Sequence, residues 1–436
     1  MPVTLQLALD FLDLERAIRV AELAVEGGVD WIEAGTPLIK SEGLDAVRAL
    51  RAKFPDHKIV ADMKTADAGR VEMEAAAKAG ADFAIVLGAA SESTVRESIE
   101  VGRHYGLGIG VDILGIADPE PLVERMADWG VAFLCVHCPI DAQMRGGNPF
   151  DILGRLAKVT QIPLAAAGGL NSETAPKAAA AGAAIVVVGG AIIKADDPAR
   201  ATADIRKAID TGQSIETELF RRAGVEDVRE VLMRVSTANI SDACHHRPCL
   251  PHLKPITPGA KLVGPVLTVR TAPGDFAKSV EAIDQADEGQ VIAIDAGGVG
   301  PAIWGELATE SAIRRRLAGV VIDGAVRDAD EIRRLAFPAF ATVVCSHAGY
   351  PKGLGEIGGP IRLCGQEVLP GDWLIGDADG VMHLAKTEVV EMANRAQDVL
   401  EAENRLRAEI REGRTLSQVA YLQKWERRTG KESGPA

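Results

Sequence analysis

The sequence predicts an α/β protein of two unlike domains, an N-terminal (β/α)8 TIM barrel and a C-terminal mixed α/β domain. Three observations support this prediction. The chain has 436 residues, which is more than one hydrophobic core usually serves. Up to about residue 210, short apolar runs alternate with segments of helical periodicity. From about residue 228 the chain becomes richer in Pro and Gly, and the alternation stops.

Eight apolar runs in the first half are β-prone, and each precedes a polar segment with helical spacing. In chain order they are LQLALDF, WIEAG, KIVADMK, DFAIVLG, LGIGVDIL, FLCVHC, PLAAAGG and AIVVVGG. Strands joined by crossover helices run parallel, and eight such units in roughly 210 residues match a closed barrel. A doubly wound open sheet is the alternative, because strand runs alone do not reveal closure.

Four segments are predicted along the chain. They are the barrel over 1–210, a connector over 211–227, the second domain over 228–415 and a C-terminal tail over 416–436. The connector carries mixed charge around SIETELFRRAGVEDV, and we expect it to be helical.

The second domain opens with RPCLPHLKPITPGAKLVGPVLTVR, a stretch that predicts turns and short strands. Further strands are predicted at VIAIDAGG, GVVIDGAV, ATVVCS and DWLIGDADGVMHL, with a helix at TESAIRRRLAG between the first two. A long amphipathic helix from Glu388 to about Arg414 closes the domain.

The net charge of −14 argues against nucleic acid or an anionic membrane as a partner. It does not argue against a phosphorylated small molecule, because backbone N–H groups bind phosphate without net positive charge. The opening MPVTLQLALDF has neither a basic segment nor a long apolar stretch. We therefore expect a cytoplasmic protein without signal peptide or membrane anchor.

Polar side chains occupy the predicted carboxyl ends of the barrel strands, where such barrels build their active sites. They are Asp10 on the first strand, Glu33 on the second, Asp62 and Lys64 on the third, Asp112 on the fifth and His137 on the sixth. Side chains alternate along a strand, so Asp62 and Lys64 point to the same side, and Asp67 follows them. Such carboxylates suit Mg²⁺ or Mn²⁺. A rim of salt bridges is the alternative interpretation.

Glycine pairs end the seventh and eighth predicted strands, at Gly168–Gly169 and Gly189–Gly190. This is the usual phosphate site of such barrels, where backbone N–H groups approach a ligand unobstructed by side chains. Cys135 and Cys138 form a CxxC pattern. Positions three apart on a strand face opposite sides, so we expect neither a disulfide nor a shared metal there.

These residues, within DMKTAD, VDI and VHCPIDAQ, resemble 3-hexulose-6-phosphate synthase of the orotidine 5'-monophosphate decarboxylase suprafamily over almost all of 1–210. The resemblance implies an aldehyde-lyase that adds D-ribulose 5-phosphate to formaldehyde reversibly, through an enediolate, with Mg²⁺. In family members the third-strand acid Asp67 serves the site of a neighbouring subunit, which implies a dimer. The roles it implies are metal binding by Glu33 and Asp62, substrate positioning by Lys64 and Asp67, proton transfer by His137, and substrate binding by Asp10, Asp112 and the glycine pairs.

The alternative family is 3-keto-L-gulonate-6-phosphate decarboxylase, which shares the metal and phosphate groups. It carries an Arg shortly after the histidine and a Glu on the fifth strand. This chain has Pro139 and Ile140 after His137, and Asp112 on the fifth strand. The differences favour the synthase.

In the second domain, VVIDGAVRDADEIR presents Arg327 and Asp328 side by side after a predicted strand. Upstream, Glu306 lies on the glycine-rich DAGGVGPAIWGELAT. A cation-binding carboxylate beside an Arg could stabilise a pyruvate-type enolate. A turn salt bridge between Arg327 and Asp328 is the alternative. The cluster CHHRPC at 244–249 is treated as incidental because a second group of zinc ligands is missing from the sequence.

These residues, with STANISDAC and GDWLIGDADGV, resemble the RraA-like family over roughly 228–415. That family includes regulators of ribonuclease E and class II 4-hydroxy-4-methyl-2-oxoglutarate aldolases. The resemblance implies Asp328 as a metal ligand, Glu306 as holder of a metal-bound water and Arg327 as the group polarising a ketone. The regulators typically lack the acid after the arginine, so a second metal-dependent lyase is favoured over a protein-binding regulator. Trimers in this family and dimers in the barrel family together imply a homo-oligomer. A hexamer would combine the two.

Overall fold

The structure, a computed structural model, describes residues 2–217, 222–411 and 413–419. It divides into two compact units, one of the described residues up to 222 with those from 404 onward, the other of residues 223–403. Residues 404–415, assigned above to the second domain, thus cluster with the first unit. The predicted tail lies outside the described residues beyond 419. Within the described ranges, every helix is too short or too polar to cross a membrane.

The first unit is a closed barrel of eight parallel strands, which confirms the predicted closure over the open sheet. Its strands are β1 (Thr4–Leu9), β2 (Trp31–Ala34), β3 (Lys58–Thr65), β4 (Phe83–Leu87), β5 (Gly108–Asp112), β6 (Phe133–His137), β7 (Leu164–Ala167) and β8 (Ile185–Val188). Its helices are α1 (Leu14–Glu26), α2 (Thr36–Glu42), α3 (Asp45–Lys53), α4 (Gly69–Lys78), α5 (Glu92–Tyr105), α6 (Glu120–Met126), α7 (Ile140–Met144), α8 (Phe150–Leu156), α9 (Ala175–Ala180), α10 (Gly190–Ile193) and α11 (Pro198–Thr211).

Local sequence signals set where the barrel helices begin. Asp13, Ser91 and Asp197 precede α1, α5 and α11, and each side chain accepts a hydrogen bond from a backbone N–H of the first turn. Such caps satisfy donors that the helix itself leaves unpaired. The helices therefore start where the polar segments after the strands predict.

Aromatic rings close the amino-terminal end of the barrel interior. Trp31, Phe83 and Phe133 begin the alternate strands β2, β4 and β6, and the Trp31 and Phe83 rings stack with centroids 4.5 Å apart. Towards the other end the interior residues are small, as at Ala8 and Ala167. Large rings below and small side chains above leave space for a cavity at the carboxyl ends of the strands.

The second unit is a mixed α/β domain, as predicted, built on a nine-stranded sheet with the order β19-β18-β10-β11-β13-β14-β9, to which β12 and β15 add. Its strands are β9 (Lys254–Pro255), β10 (Leu262–Thr271), β11 (Val291–Asp295), β12 (Ala302–Trp304), β13 (Gly319–Val326), β14 (Ala339–Val344), β15 (Gly355–Ile357), β16 (Ile361–Leu363), β17 (Gln366–Val368), β18 (Trp373–Asp377) and β19 (Gly380–Leu384). The helices are α12 (Val228–Arg234), α13 (Thr237–Ala243), α14 (Ala277–Gln285), α15 (Glu306–Arg314), α16 (Ala329–Arg334) and α17 (Val389–Arg411), followed by α18 (Leu416–Val419). Strands β10, β11, β13 and β14 run parallel.

Two expectations about this region need correction. The connector was expected to be helical, but after α11 its described residues 212–217 and 222–227 form no helix. Gly212 ends α11 in the left-handed conformation, and the backbone beyond it bonds to the barrel: the Ile215 N–H donates to the Ser172 carbonyl oxygen at 3.1 Å. The stretch 247–270, predicted to form turns and short strands, holds all but the last residue of β10, a strand of ten residues.

Candidate functional sites

A cavity of about 430 Å³ opens at the carboxyl ends of the barrel strands. The structure brings together every predicted barrel site residue except Asp67. The cavity is lined by Asp10, Glu33, Asp62, Lys64, Asp112, His137, Gly168, Gly169, Gly189 and Gly190, together with residues that include Gln6, Thr36, Cys135, Ile140 and Gln143. Asp67 is exposed outside this lining, and its carboxylate accepts a hydrogen bond from the Ala68 N–H at 2.7 Å.

Glu33 and Asp62 form the carboxylate-rich part of the cavity. Burial, and the carboxylates of Asp62 and Asp10, raise the pKa of Glu33 well above its ordinary value. Gln6 donates its amide N–H to Glu33, and the Thr36 hydroxyl donates to Asp62 Oδ2 at 2.6 Å. Asp62 Oδ1 is buried without a hydrogen-bond partner.

This arrangement fits a hard divalent cation. A cation would satisfy the unpartnered Asp62 oxygen and offset both the burial and the repulsion that raise the pKa of Glu33. Among the described residues, no three His, Cys, Asp or Glu side chains are grouped so as to hold a metal by themselves. The pair thus suits Mg²⁺, which commonly takes one or two carboxylates and completes its shell with substrate oxygens and water.

Lys64 lies at the centre of a buried ionic network. Its Nζ is 2.9 Å from Asp112 Oδ2 and 3.2 Å from Asp62 Oδ2, and His137 Nδ1 is 3.5 Å from Asp112 Oδ2. Burial by itself would lower the pKa of Lys64, but the two carboxylates outweigh it and raise that pKa above its ordinary value. For Asp112, burial is outweighed by the bonds from His137 and Lys64, so its pKa is lowered. Lys64 therefore carries a positive charge at neutral pH and Asp112 a negative one.

Backbone geometry places the Lys64 ammonium. Asp62 and Lys64 lie on the same side, as the alternation predicts, but Lys64 has a left-handed φ of 45°, and the pairing of β3 with β4 shifts register between Ala61 and Thr65. A non-glycine residue in this region costs on the order of 1–3 kcal/mol and persists where the surroundings impose it. The strained backbone thus belongs to the residue whose ammonium neutralises Asp62 and Asp112.

The glycine pair after β7 turns sharply beneath Gln143. Gly168 has a φ of 97°, and a Cβ there would lie 2.6 Å from the carbonyl oxygen of Cys138. Any other residue would thus be strained and would collide with backbone. The Gln143 side-chain amide donates to the same Cys138 oxygen at 2.7 Å.

Sequence reasoning missed Gln6, Thr36 and Gln143 as lining residues. Gln6 had a usable signal, because it is a polar residue in step with Ala8 and Asp10 on an otherwise apolar strand. Gln143 sits on α7, a five-residue helix whose direction no periodicity predicts. Cys135 also lines the cavity, and burial raises its thiol pKa well above the ordinary value, so it remains a protonated thiol.

The second unit holds a separate cavity of about 310 Å³ that contains all three predicted residues, Glu306, Arg327 and Asp328. Asp328 precedes α16 with a left-handed φ of 55°, and its Oδ2 accepts a hydrogen bond from the Glu306 N–H at 3.2 Å. The Arg327 N–H donates to the Trp304 carbonyl oxygen at 3.0 Å. The loop between β12 and α15 and the end of β13 thus meet at this cavity.

Arg327 and Asp328 do contact one another, with Nε 3.5 Å from Oδ2, and their side chains are 43% and 36% exposed. An exposed pair of this kind contributes at most ~1 kcal/mol, so its presence does not explain the cavity. One carboxylate and surrounding water suit a hydrated Mg²⁺ with a single direct protein ligand. The cluster at 244–249 is a separate feature. Its His246 pairs with a carboxylate, with Nδ1 3.1 Å from Asp242 Oδ1.

Comparison with known proteins divides the chain in the same way. Residues 4–205 match the model of the orotidine 5'-phosphate decarboxylase / HUMPS family, and residues 237–383 match that of the RraA-like family, Aldolase/RraA. 3-Hexulose-6-phosphate synthase of Mycobacterium gastri is 41% identical over 47% of this chain and 99% of that protein. The enzyme of the same name from Bacillus subtilis (strain 168) is 35% identical over 48% and 99%.

A solved structure of the RNA-processing inhibitor RraA from Thermus thermophilis is 32% identical over 35% of this chain and 93% of that one, with a TM-score of 0.33. The predicted fusion of two families is confirmed by the two family matches. The predicted enzyme class, a carbon–carbon lyase, is supported by the named synthase relatives. Through its barrel this chain belongs to the orotidine 5'-phosphate decarboxylase / HUMPS family as a homologue of 3-hexulose-6-phosphate synthase, and it carries an RraA-like domain later in the sequence.

Proposed function

We propose that the barrel is an aldehyde-lyase that condenses D-ribulose 5-phosphate with formaldehyde to give 3-hexulose 6-phosphate, reversibly and with Mg²⁺. One observation carries the proposal: a single cavity contains a carboxylate pair suited to a cation, an ionic network ending in a histidine, and two glycine pairs. The named relatives match this unit over nearly their whole length.

Glu33 and Asp62 would hold the metal, and Mg²⁺, when bound, supplies a Lewis acid that favours loss of a proton beside the substrate carbonyl. Glu33 has to lose its proton for this, since burial and neighbouring carboxylates raise its pKa. The Thr36 hydroxyl, bonded to Asp62 Oδ2, keeps that carboxylate oriented.

Lys64 would serve as a fixed positive charge facing the substrate oxygens, because its raised pKa rules out a role as a base. Asp112 orients His137 through Nδ1, which leaves Nε2 as the nitrogen that can move a proton between substrate carbon and oxygen. Asp10 would bind substrate hydroxyls, and the glycine pairs would bind the phosphate through backbone N–H groups.

The test is Mg²⁺-dependent consumption of formaldehyde in the presence of ribulose 5-phosphate. The wild-type chain should turn over, chelation should stop the reaction, and Asp62→Ala should lose at least 10³-fold in kcat/KM, which is the scale of metal-assisted catalysis. Asp328→Ala, altered in the other cavity, is the matched control and should keep full activity. Absence of turnover in the wild-type chain, or full activity in Asp62→Ala, contradicts the proposal.

The alternative barrel reaction is decarboxylation of 3-keto-L-gulonate 6-phosphate. Ile140, an apolar residue, lines the cavity where the decarboxylase pattern carries an arginine, and this favours the synthase. Release of CO2 from that keto-acid phosphate without consumption of formaldehyde would favour the decarboxylase instead.

For the RraA-like domain we propose a second metal-dependent lyase acting on a pyruvate-type enolate. Asp328 would bind the cation, Glu306 would hold its water, and Arg327 would polarise the ketone oxygen, all within one cavity. Release of pyruvate from a 4-hydroxy-2-oxo acid, abolished by Asp328→Ala and retained in Asp62→Ala, supports this. Tight binding to a ribonuclease without any turnover supports the alternative, a regulatory module.

We further propose that the chain forms a homo-oligomer in which Asp67 serves a neighbouring barrel. Asp67 is exposed and lies outside the cavity lining of its own chain, which supports this arrangement. A monomer in analytical ultracentrifugation, with full activity, would contradict it.

A further inference from the structure

Three residues that line the barrel cavity each hold a buried oxygen acceptor without a hydrogen-bond donor. The three oxygens are Asp62 Oδ1, Gln6 Oε1 and Gln143 Oε1. Buried polar groups are normally paired, and an unpaired one at a cavity commonly marks a place that a ligand or water completes. A cation accounts for the Asp62 oxygen. Gln6 donates its amide N–H to Glu33, so its unpartnered oxygen lies at the carboxylate pair, where a metal-bound water can donate to it. Gln143 is the acceptor that the metal chemistry leaves unexplained.

The Gln143 amide has a fixed orientation. Its side-chain N–H donates to the Cys138 carbonyl oxygen at 2.7 Å, and the residue is only 4% exposed. Its oxygen lies 3.2 Å from where a Cβ on Gly169 would stand. The bond from the Gln143 side-chain N–H to Cys138 therefore holds the unpartnered Gln143 Oε1 close to the glycine pair that follows β7.

The chemistry of an acceptor restricts what can complete it. The dianion of a phosphate monoester offers only acceptors and cannot pair with an amide oxygen, whereas a hydroxyl donates. A ligand that places phosphate on the glycine pair would bring to Gln143 the hydroxyl nearest its phosphate.

We propose that Gln143 is a specificity-determining residue whose Oε1 accepts a hydrogen bond from a hydroxyl beside the phosphate of a polyol phosphate. This rests on the proposed function in one respect, that the cavity binds a phosphorylated sugar. Cys138 acts here as the positioning partner, through its backbone oxygen.

The experiment compares two ligands in the full-length protein with Mg²⁺. Gln143→Met removes the acceptor and keeps an unbranched side chain of similar length. It should bind ribulose 5-phosphate about 10- to 100-fold more weakly in calorimetry and show a matching rise in KM, which is the scale of an unpaired polar group. Methyl phosphate, whose dianion carries no hydroxyl, should bind with unchanged affinity.

A matched control is available in the second unit. Gln397 is 5% exposed and also has a buried, unpartnered Oε1, while its side-chain N–H donates to Glu401 at 3.0 Å. Gln397→Met should leave both affinities unchanged. Gln143→Asn, which retracts the amide by one methylene, is the second variant should the methionine disturb folding, and should show the same selective loss.

The outcomes separate this inference from the proposed reaction. Equal weakening of both ligands would show that Gln143 only braces the glycine pair, and unchanged affinity for both would show that water completes the oxygen; either overturns the inference. Wild-type protein that binds ribulose 5-phosphate without condensing it with formaldehyde overturns the proposed reaction but leaves the binding test of Gln143 valid. Wild-type protein that binds neither ligand overturns both.

Discussion

The two cavities hold their charged groups at different depths. In the barrel, the Asp112 side chain is fully buried and Lys64 is 22% exposed, whereas in the second unit Arg327 and Asp328 are 43% and 36% exposed. Buried, mutually bonded ions are held in place before a substrate arrives. The charges of half-exposed side chains are screened by water, so the strength of their electrostatic interactions depends on how far that water is excluded. The charged groups of the barrel cavity are thus preorganised, whereas those of the second cavity are open to water.

The largest expected effect comes from replacing one positively charged side chain in each cavity. Lys64→Met leaves two buried carboxylates without their ammonium, so we expect a loss of ~3 kcal/mol in the free energy of unfolding of the barrel. Arg327→Met breaks a half-exposed pair and should change that of the second unit by less than ~1 kcal/mol. Urea denaturation of the full-length chain, followed separately for each unit, measures both. Equal effects would remove the contrast between the cavities.

Glycines beside a carboxylate provide an intermediate test. A Cβ on Gly35 would lie 2.3 Å from Asp10 Oδ1 and 2.9 Å from the Leu9 carbonyl oxygen. Gly35→Ala should therefore lower kcat/KM of the barrel reaction about tenfold, since overpacking of this kind costs ~1–3 kcal/mol. On Gly305 a Cβ would lie 2.6 Å from Asp328 Oδ2. Because the Asp328 side chain is half-exposed and can move, Gly305→Ala should lower kcat/KM of the reaction proposed for the second unit by less than tenfold.

The control for both glycine variants is Gly154→Ala. Gly154 lies within α8, and a Cβ there meets nothing within 4 Å. Its activity should equal that of the wild-type chain. An equal loss in Gly35→Ala and Gly305→Ala would mean that the second cavity is as rigid as the first.

The smallest expected effect is a difference in how the stability of the fold depends on pH at a carboxyl in each of the two units. Burial by itself would raise the pKa of Asp275, but backbone N–H groups of Lys352, Leu354 and neighbouring residues outweigh it and lower the pKa to about 2. A carboxyl with a lowered pKa stabilises the fold above its unfolded value of 3.8 and loses that contribution as the pH falls towards 2. The raised pKa of Glu33 has the opposite sign, so its contribution is lost as the pH rises.

Denaturation at pH 4, 3 and 2 measures this difference. The second unit of the wild-type chain should lose stability across the range, and Asp275→Asn should be less stable at pH 4 and vary less with pH below it. An unchanged slope in Asp275→Asn would show that other carboxylates determine the acid response of that unit.

The sequence predicted the barrel and most of its cavity because both follow from short-range rules. Strand periodicity places Asp62, Asp112 and His137 at the carboxyl ends of parallel strands, and a closed barrel brings those ends together. The left-handed backbone at Lys64 was not predictable, because it accompanies ion pairs with Asp62 and Asp112 that form only in the folded barrel.

The remaining misses depend on tertiary contacts. Gln143 reaches the cavity from a short helix, and its side chain is held there by its bond to the Cys138 carbonyl oxygen. The connector has mixed charge and helix-forming residues, but the backbone N–H groups of Ile215 and Thr217, within its described part, bond to the barrel. Propensity is a weak guide where an exposed backbone finds partners elsewhere in the fold.

Those connector bonds have a consequence for dissecting the protein. Ser172 and Glu173 follow the glycine pair of β7, and they bind the chain beyond α11 at Ser214, Ile215 and Thr217, with the Ser172 hydroxyl 2.8 Å from the Ile215 carbonyl oxygen. A barrel excised at residue 210 would lose this brace, whereas one extended through residue 217 would retain it. A protease that cuts between residues 210 and 217 would release the loop after β7 from these bonds without cutting a strand, so residues 214–217 are structurally part of the barrel unit.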